Sequence, residues 1–179
     1  MTSTEQRFPA TDGEVASILA SPHDPRREIM VSRTINAPPD IVFEVWTDPA
    51  HISEWWGPRG FSTTTHEWDL RPGGVWRFTM HGPDGTDYPN RIVFVEVDRP
   101  RRLVYRHTGV EETQTQDVRF LAAVTLADLG GRTEVTLRMI FETPGELNAV
   151  ARFGAVEGAH DTLARFGEAV ARLTPGAGR

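Results

Sequence analysis

Three side chains near the C-terminus have the residue types that proton chemistry needs. Glu157 and His160 stand three apart and Glu157 and Asp161 four apart, spacings that bring side chains to neighbouring positions on one helix face. A carboxylate beside an imidazole can move a proton to or from a substrate, or anchor the polar end of a ligand. A Glu-x-x-His pair also holds metal in di-metal bundles, but those need a second copy on another helix, and the sequence contains none. The competing reading puts His160 and Asp161 in solvent and gives Glu157 a backbone or arginine partner. For catalysis that second reading is preferred, so no catalytic residue and no metal ligand is assigned. Glu157 and His160 stay as candidates for ligand contact.

The other histidines singled out, His23, His51, His66 and His81, are too scattered for a ligand set. No cysteine is present, which removes disulfides, thiol nucleophiles and thiolate metal sites. Ser17, Ser21, Ser32, Ser53 and Ser62 have no paired base at a recognisable spacing. No G-x-S-x-G, P-loop or dinucleotide fingerprint occurs, so no cofactor is implied.

Aromatic residues supply the second candidate chemistry, the enclosure of an apolar molecule. Trp55, Trp56, Trp76, Phe78, Phe94, Tyr105, Phe120 and Phe153, with Met80 and His107, make an apolar set with a few polar groups, the composition of a ligand pocket. Phe141 belongs to the same aromatic set. Trp76, Phe78 and Tyr105 are the leading wall residues, because they alternate inward near polar partners. Aromatics at inward strand positions are equally the material of a filled core. The adjacent Trp55 and Trp56 cannot share one helix face, so one belongs to the core and the other to its edge or to a cavity.

These side chains need elements to position them. Thr143 and Glu146 form a capping box, Pro144 falls at the first helical position, and Thr174-Pro175-Gly176 closes the far end. Between them Leu163, Phe166, Val170 and Leu173 form one apolar stripe, with Arg165, Glu168 and Arg172 on the opposite face. A single helix of this extent would run about 45 Å at ~1.5 Å per residue, so a break is expected near Phe153-Gly154. Upstream, Glu28 to Ile35 alternates as a first strand, and Ala37-Pro38-Pro39-Asp40 and Asp48-Pro49 each open a short helix. Six further strands follow, separated by Gly/Pro/Asp turns: 61–70, 75–81, 88–97, 102–108, 118–126 and 133–142, with a polar loop through Glu111 and Glu112. Each strand is expected to show one apolar and one polar face, a sheet half open to water. Val15, Ile18 and Leu19 are spaced for one amphipathic turn after Asp12, but residues 1–27 are read instead as a polar tail, poorly ordered or docked on the surface. Residues 28–173 form the domain and 174–179 a C-terminal tail.

The charge balance limits the partners. Of 179 residues, 19 are basic and 25 acidic, for a net charge of −6, with no basic run longer than a pair. That argues against nucleic acid and against an anionic membrane surface. No apolar run approaches a membrane span or a signal peptide core, so a cytoplasmic location is expected.

Five motifs then point to a family. Trp46-Thr-Asp-Pro-Ala-His51, Trp55-Trp56-Gly57-Pro58, Asp69-Leu-Arg-Pro-Gly-Gly74, His81-Gly-Pro-Asp-Gly-Thr-Asp-Tyr-Pro-Asn90 and Phe153-Gly-Ala-Val-Glu-Gly158 occur in order across roughly residues 28–173. The chain resembles bacterial START-like (SRPBCC) proteins related to the C-terminal domain of the activator of Hsp90 ATPase. The resemblance implies an α+β helix-grip fold: a seven-stranded curved antiparallel sheet wrapped around a long C-terminal helix, with a cavity between them. It also implies a small apolar ligand, lipid-like or polyketide-like, held in that cavity. The alternatives are a polyketide cyclase or aromatase-like or hydrolase-like enzyme using the same cavity, and an Hsp90-type ATPase cofactor. The last is disfavoured because residues 1–27 cannot replace the additional N-terminal domain of the eukaryotic activators. A homodimer through a free strand edge is compatible with this fold.

Overall fold

The computed structural model describes residues 11–108 and 119–174. The beginning of the N-terminal tail, the Glu111–Glu112 loop, the start of the strand placed at Val118, and residues 175–179 lie outside them. The chain runs α1 (Asp12–Ala20), β1 (Glu28–Ile35), α2 (Pro39–Thr47), α3 (Pro49–Trp55), β2 (Ser62–Trp68), β3 (Val75–His81), β4 (Asp87–Asp98), β5 (Arg102–Thr108), β6 (Phe120–Asp128), β7 (Thr133–Ile140), α4 (Pro144–Arg152) and α5 (Ala155–Leu173). The strands form one antiparallel sheet in the order β1-β7-β6-β5-β4-β3-β2, with β1 and β2 at its edges. Consecutive strands pair through tight turns from β2 to β5, as their Gly/Pro/Asp punctuation predicts.

Side-chain alternation divides the sheet into an inner and an outer face. Leu103, Tyr105 and His107 point inward on β5 while Val104 and Arg106 point outward. Register carries this parity across, pairing Leu103 with Val124 and Tyr105 with Ala122 on β6, and Val124 with Leu137 and Ala122 with Met139 on β7. Bulges between Thr65 and Glu67 and between Phe94 and Glu96 bend the sheet, as extra residues on one strand do.

The C-terminal segment breaks where the sequence suggests. Thr143 and Glu146 complete their capping box. Gly154 takes φ 83° and starts α5 in a left-handed conformation, which glycine adopts without the Cβ penalty. α5 lies across the inner face with Ala159, Leu163, Phe166, Ala169 and Val170 buried beneath it. Gly158 lets it approach Pro58 closely, since a Cβ there would stand 3.3 Å from Pro58 Cγ.

The outer face departs from the half-open sheet that alternation suggests. Val104, Leu121, Ala123 and Ile140 are buried there together with Val15. They are covered by α1, so residues 12–20 are an ordered helix rather than a loose tail. A capping box from Thr11 and Glu14 starts it. Arg106 pairs with Asp12 at 3.1 Å at one end. At the other end the Arg138 guanidinium donates to Leu19 O at 3.2 Å and to Ser21 O at 3.0 Å. A helix with so few apolar residues holds because the sheet beneath it is apolar and two arginines take its ends. A cleft of about 460 Å³ remains between α1 and β4–β5, lined by Val15, Leu19, Val95, Glu96 and Arg102.

Candidate ligand groove

The inner groove has a closed half and an open half. In the closed half the rings of Trp46, Trp55 and Phe166 meet with centroids 4.7 to 4.8 Å apart. Farther along, Trp76 stacks on Phe78 at 3.8 Å and meets Trp56 at 4.9 Å and Trp68 at 5.3 Å. Such spacing leaves no room for a guest. Phe94 packs against Trp68 at 5.6 Å and is buried. Trp55, Trp76, Phe78 and Phe94 are therefore core residues first, and only the edge they present can meet a ligand.

The open half lies where β3 ends, β4 begins, β5 ends and β7 ends. Inner-face Met80, Asn90, His107 and Met139 all keep partial exposure there, whereas Ile35, Leu126 and Val135 at the opposite end of the sheet are sealed. The helix above tapers to match: α5 offers Ala155 and Ala159 over the open half and Leu163 and Phe166 over the closed half. α4 adds only one buried residue, Leu147, so it roofs this end loosely. The half-buried Trp56 faces this space, 6.0 Å from Phe78 and 6.5 Å from Tyr105. The adjacent tryptophans thus divide, Trp55 into the core and Trp56 to the groove.

The polar groups of the open half come from β4 and β5. His107 stacks on Phe120 at 4.9 Å with an interplanar angle of 10°, and its Nε2 lies 2.7 Å from Asn90 Oδ1. Asn90 Nδ2 donates to Tyr88 O at 2.8 Å, which leaves Oδ1 to accept from His107 Nε2. Tyr105 is 3% exposed. No described residue hydrogen-bonds its hydroxyl, and burial alone pushes its pKa well above the usual phenol value.

Phe153, Glu157 and His160 are the corrections. Phe153 is 79% exposed, outside the groove, because the left-handed Gly154 turns the chain before α5 begins. Glu157 and His160 are exposed, since the buried stripe of α5 passes through Ala155, Ala159, Leu163 and Phe166 and leaves both on its outer side. Their spacing is helical, as expected, but the wrong face carries it. Among the described residues no group of three or more His, Asp or Glu is placed to share a metal ion.

Sequence reasoning missed Asn90, Met139 and Arg165. Asn90 was legible in principle, because it is two and four residues before the inward Ile92 and Phe94. Arg165 was assigned to the exposed face of α5. Instead its guanidinium is partly buried and donates to Glu54 O at 2.8 Å, Gly57 O at 2.9 Å and Pro58 O at 3.0 Å. It caps the C-terminal end of α3 and ties one wall of the groove mouth to α5. Burial lowers its pKa, and the neighbouring Arg59 acts in the same direction.

A curved antiparallel sheet closing on a C-terminal helix, with two short helices after the first strand, is the helix-grip (START-like) architecture. The chain belongs to the family of activator of Hsp90 ATPase homolog 1-like proteins, which it matches over residues 36–171. It is similar in structure to a Nitrosomonas europaea protein at 25% identity, with a TM-score of 0.75 and coverage of 86% of this chain and 100% of that one. An Arthrobacter aurescens protein shares the fold at 23% identity, with a TM-score of 0.78 and coverage of 88% and 94%. A Mycobacterium smegmatis protein does so at 25% identity, with a TM-score of 0.72 and coverage of 86% and 95%. No curated protein matches the chain. Among the described residues no helix is long and apolar enough to cross a membrane.

Proposed function

We propose that the protein is a receptor for a small apolar molecule held in the open half of the groove, between β3–β7 and the first turns of α5. The observation that carries this reading is the uneven sealing of one continuous inner face. The same sheet is packed solid with rings at one end. At the other it keeps Met80, His107 and Met139 partly uncovered beneath alanines. An apolar inner surface left open under small side chains gains from a guest that removes it from water. The outward placement of Glu157 and His160 weighs against an acid–base enzyme running through them.

The test is a thermal-shift and native mass spectrometry screen with fatty acids, sterols and polycyclic aromatics. A ligand at one hundred times its Kd should stabilise the folded protein by about 2.7 kcal/mol and should change the emission of Trp56. No shift and no adduct with any of these classes would remove the receptor reading. The family's name supports a second reading, contact with an Hsp90-type ATPase. An unchanged chaperone turnover rate on addition of the protein would dismiss it.

A further inference from the structure

The receptor reading, on which this inference rests, leaves the chemical class of the guest open, and Tyr105 narrows it. Tyr105 sits at the middle of the inner face, between its register partners Phe94 on β4 and Ala122 on β6. It is 3% exposed, and no described residue bonds its hydroxyl. The hydroxyl is not among the sealed, unpartnered side-chain atoms of the described residues, so it keeps contact with solvent, and a guest's acceptor can take the place of that water. Its surroundings are apolar: Trp56, Phe94, Ala122 and, one strand on, Met139. None of these four carries a charge, so a carboxylate brought against them would meet no counter-charge among them. Asn90 is already engaged through both ends of its amide. The walls are flat rings, from Trp56 and Phe78 on one side and from the stacked His107 and Phe120 on the other.

We infer that the groove takes a flat, uncharged, largely aromatic molecule bearing a carbonyl oxygen, and that the Tyr105 hydroxyl donates a hydrogen bond to that oxygen. The phenol stays protonated and so acts as donor. Shape recognition comes from the rings, and the orientation of the guest comes from the single hydrogen bond.

Three probes of one shape separate the possibilities: fluorene, fluorenone and fluorene carboxylate, titrated against the full chain and its Tyr105→Phe variant by tryptophan quenching and calorimetry. The expected result is that wild type binds fluorenone about tenfold more tightly than fluorene, as one net hydrogen bond would give. Tyr105→Phe should erase that difference by weakening fluorenone while leaving fluorene unchanged. The carbonyl stretching band of bound fluorenone should fall to lower frequency in wild type and return in the variant. If fluorenone binds both proteins equally, the Tyr105 anchor is wrong and the receptor reading stands. If the carboxylate binds most tightly, the uncharged class is wrong. If none of the three binds wild type, the aromatic class falls with its anchor, while the fatty acid and sterol arms of the wider screen still decide the receptor reading. Should Tyr105→Phe fail to fold, the band in wild type decides alone, and an unshifted carbonyl overturns the inference.

Discussion

Arg165 shows how much a single side chain can hold. Its guanidinium closes the carbonyl end of α3 from a helix more than a hundred residues later in the chain, with hydrogen bonds to a charged donor. Arg165→Met should therefore cost about 2–4 kcal/mol in urea unfolding and should alter Trp56 emission, because the loop that follows Trp56 loses its tether. Arg165→Lys should recover only part of this, since one ammonium cannot reach all the carbonyls that a forked guanidinium spans. Two phenylalanines of the C-terminal segment give a second contrast. Phe166→Ala removes a ring buried among Trp46 and Trp55 and should cost about 3–5 kcal/mol. Phe153→Ser alters a ring that is 79% exposed and should stay within about 0.5 kcal/mol of wild type. Equal losses for the two would mean that Phe153 packs inside.

At the scale of elements, α1 and the α4–α5 junction carry the testable claims. α1 is held at its C-terminal end by Arg138, which also pairs with Glu28 at 2.8 Å, while His23 Nδ1 lies 2.7 Å from the same carboxylate. Burial by itself would raise the pKa of Glu28, but the hydrogen bonds from Arg138 and His23 outweigh it and hold the carboxyl below its ordinary value. A group lowered in the folded state contributes stability that is present above its unfolded pKa and is lost as pH falls through the folded one. Unfolding free energy should therefore fall below about pH 4 more steeply in wild type than in Glu28→Gln, and amide exchange in α1 should accelerate over the same range. Identical acid profiles for the two proteins would remove Glu28 as the latch. At the junction, Gly154→Ala places a Cβ in a left-handed conformation and should cost about 1–2 kcal/mol in denaturant titration.

At the scale of the whole molecule, the inner face of one sheet is covered unevenly. Rings from α2, α3 and α5 fill one end, alanines on α5 and a loosely seated α4 leave the other, and β5 carries Tyr105 and His107 into what remains. Much of this was legible before folding: the strands announced themselves by alternation and by Gly/Pro turns, the last helix by its capping box, and its break by Gly154. The motifs that carry the family resemblance are in good part positions where backbone turns or approaches closely, as where Gly158 meets Pro58. Local geometry of that kind is written in residue type. Three things were not legible. Which face of α5 turns inward depends on where the helix lies on the sheet, so Glu157 and His160 moved outward and Arg165 inward. That the outer face of β5–β7 is apolar enough to seat α1 depends on strands distant in sequence lying side by side. That Trp55 is sealed while Trp56 stays half-buried depends on side chains contributed by β3, β5 and α5 at once. The sequence by itself determined the elements, their order and the family, because periodicity, caps and turns are local. Only the tertiary structure decided which residues share a cavity, because burial is set by what the rest of the chain brings against each face.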